Sequence, residues 1–378
     1  AFFAQTFAHH FLLPRPYFWP LKHRHMLHAV LDAYGFPADC SVTPHGSGLI
    51  NRTWIVKNGK DRFILQRINQ DVFPAPALIA ENIEMVGDYL STHYPDAVFP
   101  RPVPATTGDT LVSTGPDGFF RLYPFIEDSI TIDVVDQPQQ AFEAARQFGA
   151  FSRMMAGFPA ERLHETLPHF HDLSLRYRSF REALQKGRPE RLRKAGELIG
   201  YLEAQNHLVT KYQQILTTPA FRLRVTHHDT KISNVLFNRS GKGICVIDLD
   251  TVMPGYFISD VGDMFRTYLS PVTEEEKDIT LIRIRLEYFE AIVQGYLEEM
   301  CEVLTPDEKK AFVYAGEFML YMQALRFITD YLLGDTYYGS KYEGHNYVRA
   351  LNQATLLQRF SEQSTSLKNI ASRVLTAL

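Results

Sequence analysis

Apolar and polar positions alternate along the first part of the chain with the period of two that half-buried strands require. Residues 42–44 read as a strand, Gly46 and Gly48 as a turn, and 53–56 as a second strand; together they predict a hairpin. Asn58-Gly59 is a strong two-residue turn signal, and 62–68 continues the sheet as a third strand. The period then changes. Leu78, Ile79, Ile83, Val86 and Leu90 recur at helical spacing, which predicts a helix over 75–92 that also carries Glu81 and Glu84. After a proline-rich link at 100–104, the runs 109–114 and 118–126 read as two more strands.

Beyond this sheet the pattern is helical, with helices predicted over 138–155, 174–185, 190–217, 274–301 and 306–333. The clear strand signals in this half are 235–237 and 244–248, joined by the polar, glycine-containing turn 238–243. The expected fold class is therefore α+β, in two lobes. A small antiparallel-sheet N-lobe would span 26–126 and a larger, mainly helical C-lobe 127–378, with a hinge near 125.

Length supports two lobes, since 378 residues exceed what one compact core usually holds. The apolar share of 45% and charged share of 22% are those of an ordinary globular protein. A formal charge of −4 gives no electrostatic reason to expect nucleic acid as a partner. Cys40, Cys245 and Cys301 are odd in number and lack a CxxC spacing, so a reducing, cytoplasmic setting is expected. No apolar run approaches the roughly 18 residues that span a bilayer, so no membrane partner is expected either. Residues 1–25 are aromatic, basic and interrupted by His9, His10, Pro14, Pro16 and Pro20, which does not make a signal peptide. They read either as a leader ahead of an internal start at Met26 or as an extension that packs its aromatics on the body.

The candidate chemistry lies in Val225-Thr-His-His-Asp-Thr-Lys-Ile-Ser-Asn234 and in the strand that ends at Asp248. Asp229 offers a carboxylate able to take or orient a hydroxyl proton. Asn234 supplies a neutral oxygen and Asp248 an anionic one, a donor pair suited to magnesium held jointly with ATP phosphates. A lone His-x-Asp recurs by chance. The asparagine five residues on and the strand-borne Asp248 turn the odds toward a phosphoryl-transfer site, which is the expectation here. Zinc at His227 and His228 is disfavoured because no third ligand has suitable spacing, and His227 is expected to brace the loop. Gly46, Ser47 and Gly48 could bring backbone amides close to phosphates, although the same residues also suit a plain hairpin turn. Tyr123 and Phe125 could stack adenine, or simply end a strand in the core.

The motif resembles the catalytic core of the aminoglycoside phosphotransferase and choline kinase group, which has a protein-kinase-like fold. Asp248-Leu-Asp-Thr-Val-Met-Pro-Gly255, with Asp260, Gly262-Asp263, Arg266, Arg326-Phe327, Asp330-Tyr-Leu332, Gly334-Asp335 and Lys341-Tyr342, looks further like the N-acetylhexosamine 1-kinases. That resemblance runs from about Gly46 to the C-terminus. It implies phosphorylation of the anomeric hydroxyl of N-acetylglucosamine or N-acetylgalactosamine by ATP with Mg2+, with Asp229 as base. It implies sugar contacts from Asn51, Asp229, Asp250, Arg326 and Tyr337, and metal contacts from Asn234 and Asp248. Kinases of this fold normally grip the phosphates with a strand lysine, and here Gln66 stands at that position, as the resemblance also implies for the sugar kinases. Arg67 should face the other side of the strand. For Arg326, an internal ion pair with Asp330 is the alternative to a sugar contact. Rival substrates on the same fold are an aminoglycoside, an amino alcohol or another sugar. A non-catalytic nucleotide-binding scaffold is disfavoured by Asp229, Asn234 and Asp248 occurring together.

Overall fold

The computed structural model describes residues 21–37, 39–46 and 50–378, with side chains from Met26 onward. Ser47 and Gly48 of the glycine loop, and the leader up to residue 20, lie outside the described residues. The chain divides into two units, the first reaching Asn69 and resuming over Pro102–Phe125, the second comprising Gln70–Arg101 and Ile126–Leu378.

The first unit is a helix, α1 (Leu21–Ala33), on one face of an antiparallel sheet. Its strands are β1 (Ser41–Pro44), β2 (Arg52–Asn58), β3 (Asp61–Arg67), β4 (Val112–Ser113) and β5 (Phe119–Pro124), in the order β1-β2-β3-β5-β4. Alternation along the strands puts Trp54, Val56, Leu65, Phe120 and Leu122 on the side that meets Met26, Leu27, Val30 and Leu31 of α1. The helix begins ahead of Met26, the residue at which the sequence suggested the body starts. The strand expected over 109–114 shrinks to Val112–Ser113, because the preceding residues form turns: Ala105 N donates to Asp109 O, and Thr107 Oγ1 to Asp109 Oδ2.

The second unit holds α2 (Pro76–His93), β6 (Ser129–Ile130), α3 (Pro138–Met154), α4 (Leu173–Lys186), α5 (Pro189–Lys194), α6 (Gly196–Ala204) and α7 (His207–Thr217). It continues through β7 (Arg224–Thr226), β8 (Val235–Asn238), β9 (Gly243–Val246), β10 (Met253–Gly255) and α8 (Phe257–Tyr268). The C-terminal helices are α9 (Leu286–Met300), α10 (Pro306–Lys310), α11 (Phe312–Leu333), α12 (His345–Glu362) and α13 (Ser364–Ala377). Two small sheets, β7 with β10 and β6-β8-β9, sit among these helices. Helix α11 is apolar on nearly every side and is accordingly buried along its length, packing on α4, α8 and α12. Gly262 allows α8 to approach α11 closely: a Cβ there would collide with the Ala315 carbonyl oxygen.

Several helices differ from the periodic reading, which gave none for α1, α8, α12 or α13 and ran α10 and α11 together across Ala311. The stretch 190–217 is broken into α5, α6 and α7, the breaks falling at Ala195 and at Gln205-Asn206. Of 274–301 only α9 is α-helical, with a 3-10 turn at Ile279–Leu281; ahead of α9, Glu274 pairs with Arg266 and Arg349, and Arg285 donates to the carbonyls of Tyr268, Leu269 and Ser270. Helix α8 escaped the pattern because its acidic residues Asp260 and Asp263 are buried alongside its apolar ones, which erases the polar face. Among the described residues no helix is long and apolar enough to cross a membrane.

Candidate active site

The segment 227–234 is held by side chains of α8. After β7, the backbone N–H groups of His227 and His228 donate to the two oxygens of Asp260, at 2.9 and 2.8 Å. Thr230 N donates to Asp263 Oδ2 at 2.8 Å, and the Tyr268 hydroxyl to the Thr230 carbonyl at 2.6 Å. The loop leaves sheet hydrogen bonding at His228, whose φ of 65° is left-handed, so its amides need such partners. Burial, together with the Asp263 charge, pushes the Asp260 carboxyl up to about 7 despite its two N–H donors. Strand β7 is itself anchored by an ion pair of Arg224 with the fully buried Glu308, at 2.7 Å.

Both histidines are structural. His227 packs edge-on to Phe148 and donates from Nε2 to the Ile247 carbonyl at 2.9 Å, bracing the loop as expected. His228 lies against β10, where a Cβ on Gly255 would be 2.5 Å from its Nε2. Burial lowers the pKa of both, that of His228 to about 4, so both imidazoles are neutral.

These supports leave Asp229 half-buried at the loop's apex, with Lys231 Nζ at 2.9 Å from Oδ1 and 3.0 Å from Oδ2. Burial raises the Asp229 pKa, but the charge and hydrogen bond of Lys231, with Arg266 adding to them, outweigh it and hold the carboxyl below its usual range. Asp229 is therefore a carboxylate at neutral pH. Asn234 donates from Nδ2 to the Asp229 carbonyl at 2.8 Å, which fixes the amide and frees Oδ1 to serve as an oxygen ligand. Its own carbonyl accepts from Ile247 N at 2.8 Å, so the β8–β9 pairing brings Asn234 next to the strand end that carries Asp248. Asp248 is exposed and left-handed, with φ 59°. The turn that follows buries Asp250, whose carbonyl accepts from Thr166 Oγ1 at 2.7 Å. An oxygen-only donor pair of one carboxamide and one carboxylate fits a hard divalent cation that takes its remaining ligands from phosphates and water.

Helix α2 joins this assembly through a residue that the sequence did not single out. Buried Asn82 donates to the carbonyls of His164 and Val252 at 2.8 and 3.0 Å and accepts from His164 N at 2.8 Å.

Arg326 projects from α11 into an aromatic cluster, its guanidinium 5.1 Å from the Phe170 ring centre and 5.4 Å from that of Tyr338. Phe170 stacks on His171 at 4.4 Å, and His171 lies 5.1 Å from the His228 ring, so the cluster adjoins the Asp229 loop. The ion pair of Arg326 with Asp330 that the sequence allowed does not form. Asp330 instead accepts from the backbone N–H groups of Tyr337 and Tyr338, at 2.8 and 2.9 Å, and from Asn346. Tyr337 is exposed at 70%, projecting from the loop that Asp330 ties down.

In the first unit, Gln66 Oε1 accepts from Arg121 Nε and Nη2 at 3.1 and 2.9 Å across the β3–β5 register. Arg67 pairs instead with core residue Phe120, on the opposite face, as the alternation predicts. Tyr123 lies on the Gln66 face, its ring centre 5.3 Å from the Arg121 guanidinium, and Arg62 covers Phe125 at 4.0 Å. Asn51 Oδ1 accepts from Asn69 N at 3.0 Å, and Gly46 has the left-handed φ of 78° that its turn needs. Arg121 gave no local signal, because its place is set by strand pairing.

Residues 41–298 match the phosphotransferase enzyme family. The chain belongs to that family. Among solved structures it resembles a microcompartment-associated aminopropanol kinase at 16% identity, with a TM-score of 0.60 over 91% of this chain and 98% of the other. A choline kinase from Cryptosporidium parvum Iowa II matches at 16% identity and TM-score 0.54, over 93% and 99%. An aminoglycoside phosphotransferase from Alicyclobacillus acidocaldarius matches at 12% and 0.56, over 91% and 95%. The fold is thus that of kinases acting on small hydroxyl compounds, and this family member is a kinase.

Proposed function

We propose that this kinase transfers the γ-phosphoryl group of ATP, with magnesium, to the anomeric hydroxyl of an N-acetylhexosamine, giving the sugar 1-phosphate. The observation that carries the reaction is the joining of Asp229, Asn234 and Asp248 by the Asn234-to-Asp229 and Ile247-to-Asn234 hydrogen bonds. Asp229 takes the hydroxyl proton as the sugar oxygen bonds to phosphorus and ADP leaves. Asn234 Oδ1 and the Asp248 carboxylate hold the metal, which neutralises phosphate charge. Lys231, an ammonium 2.9 Å from Asp229, keeps the base ionised.

By the family resemblance the phosphates fall to the loop of Gly46, Ser47 and Gly48 and the adenine to Tyr123 and Phe125. Gln66 carries no charge, and Arg121, hydrogen-bonded to it, contributes the cation instead. Asn51, Asp250, Arg326 and Tyr337 contact the sugar. The resemblance of the Asp-Leu-Asp-Thr and Arg-Phe segments supports this choice of acceptor. Arg326 supports it physically, because a guanidinium beside the Asp229 loop disfavours the cationic amines that aminoglycosides and amino alcohols carry.

The test is an incubation of the protein with ATP, magnesium and a panel of N-acetylglucosamine, N-acetylgalactosamine, plain hexoses, aminoglycosides and amino alcohols. Formation of an N-acetylhexosamine 1-phosphate supports the reading. Turnover only of an amine-bearing acceptor would replace the sugar by a small hydroxyl compound of that kind.

A further inference from the structure

Two arginines meet at the aromatic cluster. Arg176 of α4 donates from Nη2 to the carbonyls of His169 and Phe170, at 3.0 and 3.1 Å, so it lies on the same short segment whose Phe170 ring faces Arg326. Neither guanidinium forms an ion pair among the described residues. The carboxylates nearby are engaged elsewhere: Glu274 bridges Arg266 and Arg349, and Asp172 accepts from Leu175 N at the start of α4, with His169 3.5 Å away.

The polar atoms of this cluster are also short of partners. Arg176 Nε, Arg326 Nε, His171 Nδ1 and the Tyr338 hydroxyl are all buried, and none has a hydrogen-bond partner among the described residues. An orphaned buried donor costs roughly 1–3 kcal/mol, so several together beside two positive charges mark a place for something the protein alone does not supply. Burial and then the Arg326 charge lower the proton affinity of Arg176, and burial, with the charges around it, keeps His171 neutral. Arg176, Arg326 and Tyr338 are each half-buried, so part of every one of these side chains reaches the surface.

We infer that Arg176, Arg326, His171 and Tyr338 form a subsite for an anionic group, a carboxylate or phosphate, on the acceptor of this kinase. Guanidinium forks match such oxygens geometrically, and the anion would cancel the charge that the arginines leave uncompensated. The preferred acceptor is then a negatively charged sugar rather than a neutral one. The choice of hexosamines as probes rests on the function proposed above, whereas the subsite rests on the arginines alone.

The experiment compares kcat/KM of the full chain for N-acetylglucosamine, its 6-phosphate and the corresponding 6-carboxylate, with calorimetric binding of the same sugars and of inorganic phosphate. At least one charged sugar should exceed the neutral one by about tenfold or more, as one strong charge-assisted contact predicts. The arm that wins separates phosphate from carboxylate. In Arg176→Gln the advantage should fall by about tenfold, and Arg176→Lys, which keeps the charge, should retain part of it. A neutral sugar used as well as either charged one overturns the subsite and leaves the sugar reading intact. If no hexosamine is phosphorylated but a charged probe binds with a dependence on Arg176, the sugar reading fails and the subsite stands. Absence of both turnover and binding overturns both. Should the variants fail to fold, the comparison of sugars on the unaltered protein decides.

Discussion

Arg121 on β5 donates two hydrogen bonds, of 3.1 and 2.9 Å, to the carboxamide oxygen of Gln66 on β3. The two residues face each other in register, so the neutral Gln66, proposed above to stand where such kinases carry a lysine, has a guanidinium directly opposite it. If that cation serves the nucleotide, Arg121→Gln should raise KM for ATP by about tenfold, the worth of one charge-assisted contact. The double variant Gln66→Lys with Arg121→Gln, which returns the charge to β3, should recover part of the loss. Unchanged KM for ATP in Arg121→Gln would confine the pair to a structural role.

The base assignment separates turnover from binding. Asp229→Asn should lower kcat by about a thousandfold while KM for ATP stays within about twofold, because proton acceptance is lost and the nucleotide contacts remain. Lys231→Ala offers a subtler check. Without its neighbour's charge the Asp229 carboxyl titrates higher, so the acid limb of the kcat profile should move to higher pH. An unshifted limb would remove Asp229 as the group that limits the rate in acid.

Metal dependence should follow the two oxygen ligands. Chelation of divalent cations should abolish activity, and magnesium should restore it. Asp248→Ala should raise the magnesium concentration needed for half-maximal rate by about tenfold or more, and Asn234→Ala by less, since a carboxylate holds the cation more strongly than a neutral oxygen. Equal requirements in all three proteins would dissociate the metal from this hairpin.

His228 makes a prediction about stability. Its folded pKa of about 4 lies below the roughly 6.5 of an unfolded histidine, so the unfolded chain binds the extra proton first as pH falls. Its contribution is complete above about pH 6.5 and is lost progressively toward pH 4, by about 3 kcal/mol. Asp260, raised to about 7, acts with the opposite sign, gaining stability as pH falls through that value. Denaturant unfolding of the wild type and His228→Gln between pH 8 and 4.5 isolates the histidine. The wild type should lose stability more steeply below pH 6.5, and parallel curves would contradict the assignment.

Much of the site could be read along the chain because its spacing is local. Asp229 and Asn234 lie on one loop, and Asp248 follows after a hairpin whose turn residues announce it, so short-range geometry alone brings the three near each other. Lys231 lies within the motif, yet only its distance to Asp229 gives it a role. Helix α8 was hidden for a related reason. Its carboxylates are inside, serving the loop amides, and a periodicity search looks for charges outside.

Local spacing therefore determined a sheet unit followed by a helical one, and it carries the proposed chemistry of a hydroxyl-activating carboxylate with two oxygen ligands. Tertiary structure decided what surrounds it. Arg121 opposite Gln66, Asn82 of α2 bonded to Val252, and Arg176 beside the Phe170 and Arg326 cluster each join residues from separate elements. Strand register and helix packing act over tens or hundreds of residues, and no pattern along one segment encodes which distant side chain will arrive there. The same physics makes the proposed charge of the acceptor legible only after folding, since only in the assembled cluster do the two arginines meet with no ion pair among the described residues.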